Sequence, residues 1–236
     1  MDKRVANAEA VIGHVKEGDI ILSGGFGTCG VAENLINALV KQGTKNLTVV
    51  SNNPGIDGYG VGQLIENRQV KLMIASYVGS NKFFEKLALA KEIEMELNPQ
   101  GTLAERMRAA GAGIPAFFTP TGFGTMVAEG KEVREYNGRP HILVPALKGD
   151  VAFIKAWKGD RWGNLVYRKT ARNFNEVMAT AATYVIAEVE HLVELGELDP
   201  DSIHTPGVYV DAIFQGVNYK KPVERGPKRK REEVKA

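Results

Sequence analysis

The sequence predicts an α/β fold: an open, mainly parallel sheet with helices on both faces. Three observations predict it. Short apolar runs alternate with amphipathic segments from about residue 20 to residue 110. The runs are rich in Ile, Val and Leu, as strands buried on both faces require. Each run ends in a polar or glycine-rich loop, SGGFG, SNNPG, SYVGSN or NPQG. An open α/β sheet gathers such loops along its carboxyl edge, where ligands bind.

Taken in order, residues 6 to 17 place Val11, Ile12 and Val15 on one helical face and are expected to be helical. Ile20, Ile21 and Leu22 begin a strand that stops at Ser23. The loop Gly24-Gly25-Phe26-Gly27-Thr28-Cys29-Gly30 follows, and then a helix with Val31, Leu35, Ala38 and Leu39 as its buried stripe and Gly43 at its end. LTVV leads to NNPGIDGYGVG. VKLMIAS leads to Tyr77-Val78-Gly79 and a helix beginning near Asn81. IEMELN leads to the tight turn Pro99-Gln100-Gly101 and a helix through Leu103, Met107 and Ala110. Beyond residue 113, IPAFFTPTGFGTMV reads as a folded loop, rich in Gly and Pro, covering the sheet edge. KEVREYNGRPHILVPA reads as a hairpin turning at Asn137-Gly138, and VAFIKAW, LVYRK and TYVIAEVE as further strands. With no internal repeat and no linker, residues 1–219 are expected to form one domain.

The composition is that of an ordinary globular chain: 236 residues, 44% hydrophobic and 25% charged. No apolar run approaches the roughly 20 residues of a membrane span, and MDKRVANAEAVIGHVKEGD has no signal core. A single cysteine, Cys29, excludes an internal disulfide framework and a cysteine-based zinc cluster. The cytoplasm is the expected compartment. Residues 220–236 carry eight basic and three acidic side chains. This basic tail is expected to be a disordered, solvated terminus. The body has no basic patch to extend a nucleic-acid footprint, so neither a specific nucleic acid nor a membrane is expected as partner.

The glycine loop holds the first candidate site. Gly24 to Gly30 lie between a strand and a helix, where free backbone N–H groups attract anions. Gly25-Phe26-Gly27-Thr28-Cys29-Gly30 also matches G-x-G-x-x-G. A dinucleotide site would add an acidic residue at the end of the second strand, and that strand ends in Ser51, Asn52 and Asn53. None of the four histidines sits in a strand-end loop or at metal-ligand spacing, and no metal site is expected. Cys29 lacks an evident histidine base. Gln100 is a candidate oxyanion donor, because an amide just past a strand can donate to developing negative charge. Asn52, Asn53 and Asn98 end neighbouring strands and can line the same edge, and Asn52 and Asn53 are candidate ligand-binding residues with the glycine loop. No carboxylate stands out as a nucleophile.

DIILSGGFGTCGVAENL at 19–35, SNNPGIDGYGVG at 51–62 and SYVGSN at 76–81 resemble blocks of a known family. So do NPQGTLAERMRAAGAGIPAFFTPTGFGT at 98–125 and GDVAFIKAWKGDRWGNLVYRKTARNFN at 149–175. The family is that of class I (3-oxoacid) CoA-transferase alpha subunits, and the resemblance is closest to its succinyl-CoA:3-ketoacid (acetoacetate) type. It implies the CoA-transferase (NagB/RpiA-like) fold. It also implies transfer of CoA from succinyl-CoA to a 3-oxoacid through a glutamyl-CoA intermediate. The family's nucleophilic glutamate lies in a Ser-Glu-Asn-Gly motif on a beta subunit, and this chain has none. A CoA-transferase beta subunit is therefore the expected partner, CoA the expected substrate, and no permanently bound cofactor is expected. By position, Gln100 inherits the oxyanion role. Gly24, Gly25, Phe26, Gly27, Thr28, Cys29 and Gly30 inherit a CoA- or substrate-binding role, for which Asn52 and Asn53 are candidates as well. Two alternatives stay open: the alpha subunit of an acetate/butyrate–acetoacetate CoA-transferase and, from a different class, a dinucleotide-binding oxidoreductase.

Overall fold

A computed structural model describes residues 1–223. Four strands run outward from the centre in chain order: β1 (Ile20–Ser23), β2 (Leu47–Val50), β3 (Val70–Ala75) and β4 (Glu94–Leu97). Each is parallel to the one before it. The helices between and after them are α1 (Glu33–Gln42), α2 (Val61–Glu66), α3 (Lys82–Leu89) and α4 (Gln100–Gly111). Gly43 ends α1 in a left-handed conformation, and the Asn81 side chain caps α3 by accepting from the Phe84 N–H.

The chain then builds a separate three-stranded antiparallel sheet from β5 (Ala116–Thr119), β6 (Val133–Tyr136) and β7 (Arg139–Pro145). It returns through β8 (Gly149–Asp160), the short β9 (Leu165–Val166), α5 (Asn173–Ala179), β10 (Ala182–Val193) and β11 (Ala212–Gln215). The main sheet has the order β11-β10-β8-β1-β2-β3-β4, with β9 antiparallel on β8. Winding goes one way from β1 to β4 and the other way from β8 to β11. The order reverses between β1 and β8, so a crevice opens at the carboxyl ends of these two strands.

Side chains alternate across each strand, and both faces are covered. Ile21, Val49 and Met73 pack with Leu35 and Leu39 of α1, Leu64 of α2 and Phe84 of α3. Leu22, Val50 and Ile74 pack on the other face with Leu103 and Met107 of α4 and Met178 of α5. Each such side chain, fully buried, contributes about 1.5–3 kcal/mol.

The expected architecture is present, and so is the hairpin. Tyr136 faces Arg139 across a turn in which Asn137 and Gly138 both have positive φ, at 52° and 72°. Several local expectations need correction. Residues 6–17 form no α-helix, only a 3-10 turn at Ile12–His14. The Asn7 side chain accepts from the Ala10 N–H as an N-cap does, but only single turns follow, and Gly13 disfavours their continuation as a helix. The segment expected to be a covering loop contains a strand, β5, which pairs with β7. LVYRK is strand only at Leu165–Val166: the Tyr167 N–H turns to His204 Nδ1, and Lys169 adopts φ 52°. The helix α5 was not anticipated. Hydrogen bonds to the body continue through Lys220 and Lys221, past the boundary expected at residue 219. The part of the expected tail from residue 224 lies outside the described residues.

Candidate functional site at the carboxyl edge

The glycine loop after β1 is a miniature hairpin. Phe26 and Cys29 exchange both backbone hydrogen bonds at 2.9 Å. The Gly24 N–H donates to Phe153 O on β8, and the Gly27 N–H donates to Asn53 Oδ1. Behind the loop stands Asn175, a fully buried amide from α5. Its Oδ1 accepts from the Lys155 N–H at 2.8 Å, and its Nδ2 donates to Gly30 O at 2.9 Å. A Cβ on Gly24 would sit 1.9 Å from that Oδ1, so any side chain there would have to displace the buried Asn175 amide. Phe26, at 49% exposed, and Cys29 face outward.

The start of α1 is not open to a ligand. The N–H groups of Asn34 and Leu35 donate to Glu188 Oε2 at 2.9 and 3.0 Å. The helix dipole is therefore answered by the protein's own carboxylate, which reaches across from β10. This corrects the expectation that the helix start receives an anion, and in the loop itself the Gly24, Phe26, Gly27 and Cys29 N–H groups are paired within the protein as well. Burial pushes the Glu188 carboxyl up to about 7, against the pull of the Leu35 N–H and the Lys155 charge. Lys155 is itself nearly buried. Its Nζ lies 3.1 Å from Glu190 and 3.7 Å from the Tyr219 ring centroid, and burial holds its ammonium below the usual lysine range.

The chain's last described segment straps this corner. Asn34 pairs with both backbone groups of Val217, and Glu33 accepts from the Lys220 and Lys221 N–H groups and from the Tyr59 hydroxyl. A cavity of about 400 Å³ opens at the β1/β8 reversal. Thr28, Cys29 and Gly30 line it with Lys155, Trp157 and Lys221. Neither Glu188 nor Asn175 was singled out by sequence. The available signal for Glu188 was an acid in TYVIAEVE, a run expected to be a strand.

Gln100 is the first residue of α4, with Pro99 as the N-cap. Its Nε2 donates to Asn52 Oδ1 at 2.7 Å, across the end of β3. Asn52 and Asn53 are buried. Asn53 ties the glycine loop to Gly55 O. Asn98 belongs to a different cluster: Arg106 Nη1 donates to Asn98 Oδ1 and to Glu96, and Arg106 Nε donates to Pro145 O. Burial works against the Glu96 charge, but the Asn98 hydrogen bond and the Arg106 charge hold its carboxyl below the usual range. The structure thus brings together the glycine loop, Asn52, Asn53 and Gln100, and assigns Asn98 to the foundation of the turn. Histidines take other work: His14 stacks on Tyr184, and His204 accepts from Tyr167.

Five carboxylates beside this edge are already engaged. Glu33 holds the strap and Tyr59, Glu96 holds Arg106, Glu188 caps α1, and Glu190 pairs with Lys155 and Lys221. Asp57 accepts from the Phe83 N–H at the start of α3.

A crevice at a topological reversal, lined by the glycine loop, is where an open α/β sheet binds small ligands, and the exposed Gln100 amide stands farther along the same edge. The chain belongs to the coenzyme A transferase family, whose family model matches residues 5–216. It is 56% identical, over 94% of its own length and 93% of the relative's, to the A subunit of succinyl-CoA:3-ketoacid coenzyme A transferase from Xanthomonas campestris pv. campestris (strain B100). It is 47% identical to the mitochondrial succinyl-CoA:3-ketoacid coenzyme A transferase 2A of Mus musculus, covering 89% of this chain but 44% of that protein. Among solved structures, glutaconate coenzyme A-transferase from Acidaminococcus fermentans superposes with a TM-score of 0.78 at 24% identity, over 89% of this chain and 74% of that one. This last likeness concerns the fold.

Proposed function

We propose that this chain is the alpha subunit of a CoA-transferase that moves CoA from succinyl-CoA to a 3-oxoacid such as acetoacetate. A glutamate of the beta subunit is the nucleophile in this reading. The observation that carries it is the engagement of the nearby carboxylates, each committed to a cap, a strap or an ion pair. The edge offers donors and a cavity, and the carboxylates Glu33, Glu96, Glu188 and Glu190 beside it are not free to attack. The full-length match to relatives that are themselves one of two subunits, and the partial match to a longer mouse protein, support the same division of labour.

In this reading the partner's glutamate attacks the thioester carbonyl. Gln100 donates its amide N–H to the oxygen that gains charge. Its place in the first turn of a 12-residue helix adds the positive end of the helix dipole. The glycine loop closes over the reacting end, and CoA enters as a substrate. Exposed apolar side chains beside the site, Phe26, Leu97, Phe123 and Met126, suit a surface that a second subunit covers. We place the assembly in the cytoplasm, as a hetero-oligomer of one alpha with one beta or two of each.

The test uses the chain reconstituted with its beta subunit. Gln100→Ala should lower kcat by about 100- to 1000-fold with KM for acyl-CoA little changed. The chain without the beta subunit should have no activity. Near-normal turnover of the Gln100→Ala complex, or transfer by the lone chain, would overturn the reading.

A further inference from the structure

We infer that Asn52 is the positioning residue of Gln100: it holds the glutamine amide in one of its two possible orientations and does not itself bind substrate. The inference rests on the oxyanion role proposed for Gln100 and extends it to the residues behind it.

The geometry is specific. Asn52 is 2% exposed, so it has almost no surface to offer a ligand. Its main-chain oxygen accepts from the Ser76 N–H at 3.0 Å and from the Tyr77 N–H at 3.2 Å, which clamps the end of β2 to the end of β3. Ser76 Oγ lies 3.1 Å from that same oxygen and 2.9 Å from Asn52 Oδ1, so the hydroxyl proton is directed at acceptors on Asn52. Oδ1 in turn accepts from Gln100 Nε2 at 2.7 Å. The chain of contacts runs Ser76, Asn52, Gln100, with Asn52 Oδ1 an acceptor from both sides.

A glutamine amide can turn by half a rotation and exchange its oxygen for its nitrogen. Here the turned state would set Gln100 Oε1 against Asn52 Oδ1, two acceptors with no proton between them. Asn52 therefore selects the orientation that commits one N–H inward and leaves the second N–H for the site. The backbone beneath is held independently, because Arg106 fixes Asn98 and Glu96 just before Pro99. Two separate sets of contacts thus fix where Gln100 starts and which way its amide faces.

The experiment is a double-mutant cycle on the reconstituted complex. Asn52→Ala should lower kcat by about 10- to 100-fold, the scale of a misaligned catalytic group, while KM for acyl-CoA stays within about twofold. In a Gln100→Ala background the same change should cost less than about twofold further, because the group it orients is gone. Ser76→Ala removes the outer support and leaves Asn52 in place. It should lower kcat several-fold, and that loss too should vanish in the Gln100→Ala background. If Asn52→Ala fails to assemble, the Ser76 cycle decides alone. Losses that add in full, with Gln100→Ala itself damaging, would overturn the positioning role and leave the oxyanion role standing. A harmless Gln100→Ala would overturn both.

Discussion

Two glycine loops stand side by side at the carboxyl edge, one after β1 and one after β2, and they are built alike for different ends. Residues 25–31 and 55–61 each form a tiny antiparallel bridge, Phe26 to Cys29 and Ile56 to Tyr59, and each then enters a helix. The second is sealed. The Gly58 N–H donates to Glu66 at 2.7 Å, Tyr59 donates to Glu33, Asp57 caps α3, and Ile56 packs on the core. The first presents Phe26 and Cys29 outward and lines the cavity. One loop is a structural clasp, and its twin is left open. The difference lies in the side chains at the tip and in the turn that carries them, which takes its positive φ at Gly27 in the first loop and one place later, at Gly58, in the second.

The largest way to break this comparison is to disturb the sealed loop. A Cβ on Gly62 would lie 2.1 Å from Ile56 O, and a backbone oxygen cannot swing aside as a side chain can. Gly62→Ala should cost about 3 kcal/mol, a fall in Tm of about 6–12 °C for a chain of this size. Thermal unfolding by circular dichroism measures it. A Tm within a degree of the parent would mean that the second loop is as yielding as the first.

A smaller effect probes the anchor of the open loop. The Glu188 carboxyl ordinarily titrates at 4.5 and is raised to about 7 in the folded chain. Between those values the unfolded chain releases this proton and the folded chain keeps it, so stability falls as pH rises through the window. Glu188→Gln keeps an acceptor for Asn34 and Leu35 and removes the titration. Relative to the parent, the variant should gain on the order of 2 kcal/mol between pH 4.5 and pH 8. Unfolding curves at four pH values across that range test it, and parallel profiles would show that Glu188 is ionised without cost.

The kinship of the two loops was hidden in the sequence. GFGTCG and GIDGYG share no repeat, because the residue that needs a positive φ sits one place later in the second. Gly27 takes it at 58° in one turn and Gly58 at 71° in the other. Strands β1 to β4, helices α1, α3 and α4 and the hairpin were legible, since local periodicity and turn chemistry decide them. Gln100, Asn52 and Asn53 were legible as neighbours at one edge because strand ends converge in any open α/β sheet. What was not legible depends on distant partners. Glu188 reaches α1 across 153 residues, Asn175 reaches Gly30 across 145, and β5 forms only because β7 is there to pair with it. A local rule misled at residues 6–17, where apolar spacing suggested a helix but only a 3-10 turn forms, with the poor helix former Gly13 inside it.

The smallest expected effect is also the most direct comparison of the twins, because Phe26 and Ile56 occupy equivalent bridge positions. Ile56 is partly buried and packs against the core cluster that includes Tyr59 and Val61, so truncation removes real contacts. Phe26 is the larger side chain, yet half of it meets solvent. If size governed, Phe26→Ala would be the more damaging change. If the sealed and open assignments govern, Ile56→Ala should cost about 1 kcal/mol, below the 2–5 typical of a fully buried isoleucine. Phe26→Ala should then stay within about 0.5 kcal/mol of the parent. Chemical denaturation of the two variants side by side separates these outcomes. The reverse order in turnover should appear once the beta subunit is present, with Phe26→Ala the more impaired, because a side chain that contributes nothing to folding is exposed for contact with substrate or partner. Equal losses of stability in the two variants would mean that the first loop is as much a clasp as the second, and that its exposed tip is incidental.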